Sequence, residues 1–214
     1  MAFIQEKTRE QLITILKTLQ NEVKLVTFTQ EIECDFCRIT RELTEEVKAL
    51  SDKISHEIYD FVKDADKVKQ YGIDKIPATV LLGERDYGIR FYGIPAGYEF
   101  TSLIEDIVDV SRRELDLPKE ILDELAKVDQ PVHIQVLTSP TCPYCALAVR
   151  LAHRFAMAND NIVSDMVELT EFPNLAVKYN VQNFPKIIIN ESTSLPGLPA
   201  DTDFVHTILK AIGK

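Results

Sequence analysis

Apolar residues recur along the chain with two alternating periods, one typical of helices and the other of strands. Leu12, Leu16 and Leu19 lie three or four positions apart, which predicts an amphipathic helix over residues 8–20. β-Branched and aromatic residues then fill positions 23–29 and predict a strand. By the same criteria, helices are predicted near 39–50, 66–71, 100–108, 119–127, 148–155, 174–179 and 203–211, and strands near 54–59, 79–82, 88–92, 132–137, 162–169 and 187–189.

This order of elements occurs twice. Each half reads α-β-α-β-α-β-β-α, although the last strand of the second half has no clear signal. Strands that alternate with helices and end in a hairpin predict an α/β fold, with a central mixed β-sheet flanked by helices in each half. The predicted domains are residues 1–116 and 117–214. The connection between them is short and helical, so we expect them to pack closely.

A Cys-x-x-Cys motif occupies the same place in each half. Cys-Asp-Phe-Cys at 34–37 is followed by Pro77, and Cys-Pro-Tyr-Cys at 142–145 is followed by Pro185. In both halves the proline comes 43 residues after the first cysteine, and the chain has no other cysteine. A Gly-x-Pro-Ala segment follows each proline in turn. Three matches in the same order indicate a duplicated domain.

The cysteine pairs are predicted to be redox-active. Each first cysteine follows a strand and is expected to open a helix, whose N-terminal amides and dipole stabilise a thiolate. The second cysteine lies one helical turn further on, where its sulfur can reach the first. Cys34 and Cys142 are therefore the predicted nucleophiles that attack a substrate disulfide. Cys37 and Cys145 are the predicted resolving thiols.

The residues beside the two nucleophiles differ. Glu33 and Asp35 place carboxylates on both sides of Cys34, and their charge opposes thiolate formation. Pro143 favours a helix start directly after Cys142. We therefore expect Cys142 to have the lower thiol pKa and the faster reaction.

Zinc binding is a competing interpretation, because the two pairs could supply four thiolates to one ion. Structural zinc pairs are usually separated by roughly 15–20 residues, whereas 104 residues separate Cys37 from Cys142. No metal site is therefore predicted. The histidines share no ligand spacing with the cysteines, and His153 is expected on the surface of its helix.

Composition narrows the possible partners and location. The chain has 214 residues, 45% of them hydrophobic, and a net charge of −10, which fits a soluble globular protein and argues against nucleic acid as a partner. No apolar run is long enough to span a membrane, and residues 1–7 do not resemble a secretory signal. We expect a cytoplasmic protein, in which paired cysteines are more often catalytic than permanent bridges.

A proline before the third strand of each half completes a familiar pattern. Strand, Cys-x-x-Cys and then Ile76-Pro77 or Phe184-Pro185 resemble the thioredoxin superfamily, and Cys-Pro-Tyr-Cys resembles the glutaredoxins. The doubled unit, with Gly-Ile-Arg-Phe-Tyr-Gly-Ile-Pro-Ala-Gly at 88–97, resembles the protein disulfide oxidoreductases, glutaredoxin-like proteins found mainly in thermophilic archaea and bacteria.

This resemblance covers essentially the whole chain and implies two tandem thioredoxin-like folds. It implies cis peptide bonds at Pro77 and Pro185, with Ile76, Pro77, Phe184 and Pro185 binding substrate beside the cysteines. The implied activity is reduction, oxidation and isomerisation of protein disulfides through a mixed disulfide.

The chain departs from thioredoxins at one position. Thioredoxins carry a buried aspartate six residues before the first cysteine, where this chain has Phe28 and Val136. A proton acceptor must come from elsewhere, and each candidate is also readable as an ordinary surface charge. The candidates are Glu31, Glu33, Glu168 and Lys186.

No nucleotide-binding motif is present and no cofactor is predicted, so electrons must come from outside. The expected partners are protein thiols and disulfides and a thioredoxin-reductase-like flavoprotein that uses NADPH. One alternative is an electron carrier that relays reducing equivalents from such a reductase to a peroxiredoxin or similar target. A second alternative is a non-catalytic metal-binding module.

Overall fold

The computed structural model describes residues 3–214, and its elements follow the predicted order. Residues 1 and 2, which belong to the segment tested for a secretory signal, lie outside the described residues. The elements are α1 Glu6–Leu16, β1 Val23–Thr29, α2 Cys37–Lys48, β2 Ile54–Asp60, α3 Ala65–Tyr71, β3 Ala78–Leu82, β4 Asp86–Tyr92, α4 Tyr98–Arg112, α5 Lys119–Leu125, β5 Val132–Thr138, α6 Pro143–Ala158, β6 Ile162–Glu168, α7 Pro173–Lys178, β7 Lys186–Ile189, β8 Thr193–Pro196 and α8 Asp201–Ala211. Between residues 3 and 214, no helix is both long and apolar enough to cross a membrane.

The two halves share one continuous sheet. Its eight strands run in the order β2-β1-β3-β4-β6-β5-β7-β8. Within each half a parallel pair is extended by an antiparallel hairpin, as the sequence predicted. The halves join where β4 pairs with β6 in parallel, from Ile89 opposite Ser164 to Tyr92 opposite Val167. The sequence predicted close packing of the halves but gave no signal for this shared edge.

Helices cover both faces of the sheet. Six of them pack on one face, where apolar residues of β1 and β5 meet α1, α2, α4, α5, α6 and α8. The two short helices α3 and α7 cover the other face through a smaller cluster that includes Phe28 and Leu175. Strands buried on both faces are nearly continuous apolar runs, which explains why β1 and β5 are so clear in the sequence.

A buried polar cluster fastens α4 of the first half to α6 of the second. The Asp106 carboxylate binds the Arg150 guanidinium and lies 2.6 Å from His153 Nδ1. The ring of His153 also meets the ring of Phe91 at an edge, with centroids 5.0 Å apart. His153 is fully buried, so the prediction that it lies on the helix surface was wrong.

Strand directions bring both Cys-x-x-Cys motifs to the same edge of the sheet. β1 and β5 run parallel to each other through the intervening pairings, and each motif follows the carboxyl end of its strand. Three strands lie between β1 and β5 in the sheet, so the two strand ends are roughly 20 Å apart. The segments after β4 and β6 fill the space between the two motifs.

Candidate active sites

Each Cys-x-x-Cys motif forms its own disulfide. The Cα atoms are 5.5 Å apart in the Cys34–Cys37 pair and 5.4 Å apart in the Cys142–Cys145 pair. In both, the first cysteine is half-buried, whereas Cys37 and Cys145 are only 1% and 0% exposed. Zinc binding would require the two pairs to converge on one ion, and each pair closes on itself instead. Among the described residues, no group of three or more His, Cys, Asp or Glu side chains is placed to hold a metal.

The two helices begin at different places relative to their cysteines. In the second half, Cys142 is the N-cap of α6, Pro143 is its first residue, and Cys142 Sγ accepts a hydrogen bond from the Cys145 N–H at 3.2 Å. In the first half, α2 begins only at Cys37. The prediction that Cys34 opens a helix was therefore wrong. Of the two leading cysteines, only Cys142 occupies the position where unpaired helical amides stabilise an anion.

A cis proline accompanies each disulfide, as the resemblance implied. The Ile76-Pro77 and Phe184-Pro185 peptide bonds are both cis. Each proline carbonyl accepts a hydrogen bond from a glycine N–H, from Gly93 to Pro77 at 2.9 Å and from Gly197 to Pro185 at 2.8 Å. These bonds tie the Gly-x-Pro-Ala segments to the sites and explain why they recur in both halves.

The first site lies in a groove that both halves line. The groove has a volume of about 430 Å³ and contains Cys34 with Ile76 and Pro77 on its wall. The second half supplies part of the opposite wall through Thr170 and Glu171. The structure thus brings the sequence-predicted residues of the first site together and adds residues from the other half of the chain.

The segments that carry the second motif and its cis proline contain several exposed apolar side chains. Tyr144 belongs to the cysteine motif itself, Leu147 follows one turn later, and Phe184 precedes the cis proline. Leu198 follows the glycine that binds the Pro185 carbonyl. From the first half, Tyr98 lies beside the Pro140 carbonyl. Their exposed fractions are 62% for Tyr144, 55% for Leu147, 38% for Phe184, 40% for Leu198 and 49% for Tyr98.

A buried carboxylate from the first half lies next to the second site. Glu99 is fully buried at the start of α4, and Ser102 Oγ donates a hydrogen bond to Glu99 Oε2 at 3.0 Å. The same hydroxyl lies 3.5 Å from the carbonyl oxygen of Ala146, the residue after Cys145. Burial raises the pKa of Glu99 to about 7, against the effect of the Ser102 hydroxyl and with help from nearby carboxylates. Sequence reasoning missed Glu99.

The proposed proton acceptors have varied environments. Glu31 and Glu33 are exposed, and Lys186 Nζ binds the Tyr179 carbonyl at 2.6 Å. Glu168 is only 2% exposed and accepts a hydrogen bond from the Thr170 N–H, so a surface position was the wrong interpretation for it. Phe28 and Val136, at the position of the thioredoxin aspartate, are both fully buried.

The chain is similar to known proteins in both sequence and fold. A thioredoxin-domain profile matches residues 132–210. A protein disulfide oxidoreductase from Aeropyrum pernix superposes on the chain with a TM-score of 0.91 and 30% identity, covering 97% of this chain and 93% of that one. The chain belongs to the protein disulfide oxidoreductase family. It shares the thioredoxin-like fold of that family and carries one Cys-x-x-Cys disulfide in each half.

The protein disulfide oxidoreductase fold also occurs inside longer relatives. The NTD_N/C domain of alkylhydroperoxide reductase AhpF from Enterococcus faecalis has a TM-score of 0.89 and 25% identity, covering 96% of this chain and all of that domain. A Bacillus subtilis NADH dehydrogenase is 25% identical over 182 residues, which is 85% of this chain but 33% of that protein. The chain thus spans about a third of the length of this curated relative.

Proposed function

We propose that both disulfides are active sites, with Cys34 and Cys142 as nucleophiles and Cys37 and Cys145 as resolving thiols. One observation carries this assignment: in each pair the first cysteine is half-exposed while the second is buried. A substrate can therefore approach only the first sulfur. The second is held where it can attack the first after a mixed disulfide has formed.

The proposed reaction reduces a protein disulfide in two exchanges. The first cysteine, as its thiolate, attacks one substrate sulfur. A new S–S bond forms, the substrate S–S bond breaks, and its electron pair leaves on the other substrate sulfur, which takes up a proton. The resolving cysteine then loses its proton and attacks the sulfur of the first cysteine, which breaks the mixed disulfide and releases the remaining substrate sulfur as a thiolate that takes up the second proton. The substrate gains two electrons and two protons, and the reverse sequence oxidises a dithiol.

Ile76-Pro77 and Phe184-Pro185 are the proposed substrate-binding residues. Ile76 and Pro77 line the groove that contains Cys34. Phe184 is 38% exposed beside the buried Pro185. Both pairs begin a sheet strand next to the disulfide, so a polypeptide laid along either pair would bring its own disulfide to the nucleophile.

Glu99 is the proposed proton acceptor of the second site. Cys145 must lose its proton inside a fully buried environment, and Glu99 is connected to the neighbouring Ala146 through Ser102. A carboxyl group with a pKa of about 7 can both take and return a proton near neutral pH. The acceptor for one half of the chain thus comes from the other half.

We further propose that the duplicated units are residues 1–116 and 117–214. The boundary falls between α4 and α5, and it leaves one disulfide and one cis proline in each unit. A cytoplasmic location stays a prediction from cysteine usage and composition.

A role as an electron relay is the second candidate function. The chain matches parts of an alkylhydroperoxide reductase AhpF and of an NADH dehydrogenase. These matches favour a flavoprotein reductase as the source of electrons and a thiol peroxidase as one acceptor. Both partners are proposals for this chain.

Insulin reduction with dithiothreitol tests the proposed function. The Cys34→Ser and Cys142→Ser single variants should each retain turnover at the remaining site, and the double variant should fall to the uncatalysed rate. Full activity in the double variant would refute the assignment. Rescue of scrambled ribonuclease would favour isomerisation, whereas turnover that requires a dedicated reductase would favour the relay.

A further inference from the structure

The groove at the first site has an acidic lining. Three carboxylates face it, Glu33 and Asp35 from the loop before α2 and Glu171 from the segment after β6. No lysine or arginine is among its lining residues. The walls therefore create a negative potential at the place where a substrate must approach Cys34.

The basic residues that could neutralise this charge have other partners. Each of the neighbouring cations is paired with a carboxylate outside the groove lining. The pairs are Arg38–Glu42 at 2.7 Å, Lys63–Asp60 at 3.6 Å and Lys75–Asp74 at 2.6 Å. Across residues 3–214, neither Glu33, Asp35 nor Glu171 forms an ion pair. The groove keeps its negative charge.

Glu171 is held in place with half of its carboxylate unused. Oε1 accepts a hydrogen bond from the Ile94 N–H at 2.7 Å, which fixes the side chain between the halves. Oε2 is buried and has no hydrogen-bond partner among the described residues. Burial, reinforced by Glu168 and opposed by the Ile94 N–H, raises the pKa of Glu171 to about 7. A cation bound nearby would favour its ionised form.

The second site offers no such charge. Its motif and the residues around it, 139–147, contain no ionisable side chain apart from the cysteines and Tyr144. Tyr144 and Leu147 in this segment are exposed instead, as is Phe184 before the cis proline. The first site therefore presents an acidic surface to a substrate disulfide, whereas the segment around Cys142 presents an uncharged one.

We propose that the first site selects protein disulfides flanked by lysine or arginine, whose side chains are contacted by Glu33 and Asp35 and attracted by the charge of Glu171. The proposal rests on the assignment of Cys34 and Cys37 as an active site, and it adds the substrate class that this site prefers. The second half takes part in that choice, because Glu171 belongs to it. The second site has no such preference.

Single-turnover kinetics can test this selection without any electron donor. The pre-reduced Cys142→Ser/Cys145→Ser variant, in which only the first site reacts, is mixed with two disulfide peptides that differ only in flanking arginines or glutamates. The arginine peptide should react about tenfold faster at low salt, since three partly exposed carboxylates each contribute a modest interaction. The ratio should approach one at 1 M salt, where the Debye length is about 3 Å.

Matched variants show which carboxylates cause the difference in rate between the arginine and glutamate peptides. Glu171→Gln in the same background should reduce it about threefold. Glu22→Gln removes the same charge from the exposed start of β1, at the opposite edge of the sheet, and should leave it unchanged. The Cys34→Ser/Cys37→Ser variant, in which only the second site reacts, should show a ratio near one.

The outcomes separate the two proposals. Equal rates for both peptides at the first site, or faster reaction of the glutamate peptide, would overturn the selection and leave the disulfide chemistry intact. Failure of the first site to reduce either peptide would overturn its assignment as an active site.

Discussion

The two halves carry the same cysteine spacing and the same cis proline, yet the two sites are built differently. Cys142 caps α6 and accepts a backbone N–H, whereas α2 begins three residues after Cys34. Carboxylates line the groove at the first site, whereas the segment that carries the second motif has exposed apolar side chains and no acidic one. A shared motif thus fixes the reaction, while the helix start and the neighbouring side chains determine reactivity and substrate.

Each half also contributes to the site of the other. Glu171 of the second half lines the groove of Cys34, and Glu99 of the first half lies beside the buried end of the second site. Both carboxylates occupy the space between the motifs that the joined sheet creates. Each site therefore includes a carboxylate from the other half. Variants at Glu99 and Glu171 can test these two contributions one at a time.

The largest expected effect comes from Glu99→Gln, which removes the proposed proton acceptor while preserving shape. At the second site the single-turnover rate constant should fall about 100-fold, the low end of what general acid–base groups contribute. Stopped-flow measurement in the Cys34→Ser/Cys37→Ser background checks this. The first site, measured in the complementary background, should be unaffected; an equal loss at both sites would indicate a structural role instead.

The same variant should change the pH dependence of stability. Burial raises the pKa of Glu99 from its usual 4.5 to about 7, so the native state holds this proton more tightly than the unfolded chain does. The stability from this group is present below pH 4.5 and is lost as the pH rises through 7. Glu99→Gln should therefore gain up to about 3 kcal/mol relative to wild type between pH 4 and pH 8.

Urea unfolding of the oxidised protein at several pH values measures this difference. Ser102→Ala removes a donor that lowers the pKa of Glu99, so the loss of stability should continue to higher pH. A constant difference between wild type and Glu99→Gln across the range would contradict the buried, protonated state.

Two glycines with positive φ, one from each half, test how much a contact between the halves adds to backbone strain. Gly97 and Gly197 have positive φ angles of 62° and 70°, so any side chain is strained at both. A Cβ at Gly97 would also lie 2.3 Å from the Pro140 carbonyl oxygen, whereas one at Gly197 would meet nothing within 4 Å. Gly97→Ala should cost about 3 kcal/mol and Gly197→Ala about 1 kcal/mol. Chemical denaturation checks both, and equal losses would mean that the contact with the second site yields easily.

The smallest expected effect is a pH dependence of substrate choice at the first site. Glu171, with its pKa raised to about 7 by burial, gains charge between pH 6 and pH 8. Glu168 raises this pKa further and the Ile94 N–H lowers it, while Glu33 and Asp35 face it across the groove. The preference for arginine-flanked peptides should rise two- to threefold over that range. Glu171→Gln should abolish the rise; a rise that persists would assign it to another group.

The sequence predicted most of the fold, because its signals are local. Strands buried on both faces appear as apolar runs, and the equal spacing from cysteine to proline identifies the duplication. The last strand was less clear because β8 is a four-residue edge strand with alternating partial exposure. The joining of β4 to β6 has no local signal, since an edge strand looks the same whether or not another strand pairs with it.

Cys34, Ile76 and Pro77 meet in one groove and both predicted prolines are cis, but the acidic groups were harder to find. Glu99 lies on the buried face of α4 with Leu103 and Asp106, four and seven positions later. That helical spacing was the available signal for a buried acid. Glu171 could not be found, because it reaches the first site only through the pairing of the two halves. The start of α2 was predicted at Cys34 but lies at Cys37, and the first motif has no proline to mark where the helix begins.

The pKa values of the two nucleophiles test the central claim most directly. The rate of alkylation of Cys34 and of Cys142 is measured against pH in reduced proteins that retain one site each. The helix N-terminus at Cys142 and the carboxylates beside Cys34 predict a lower pKa for Cys142, with at least tenfold faster alkylation at pH 6. Equal pKa values, or a lower value for Cys34, would contradict the account.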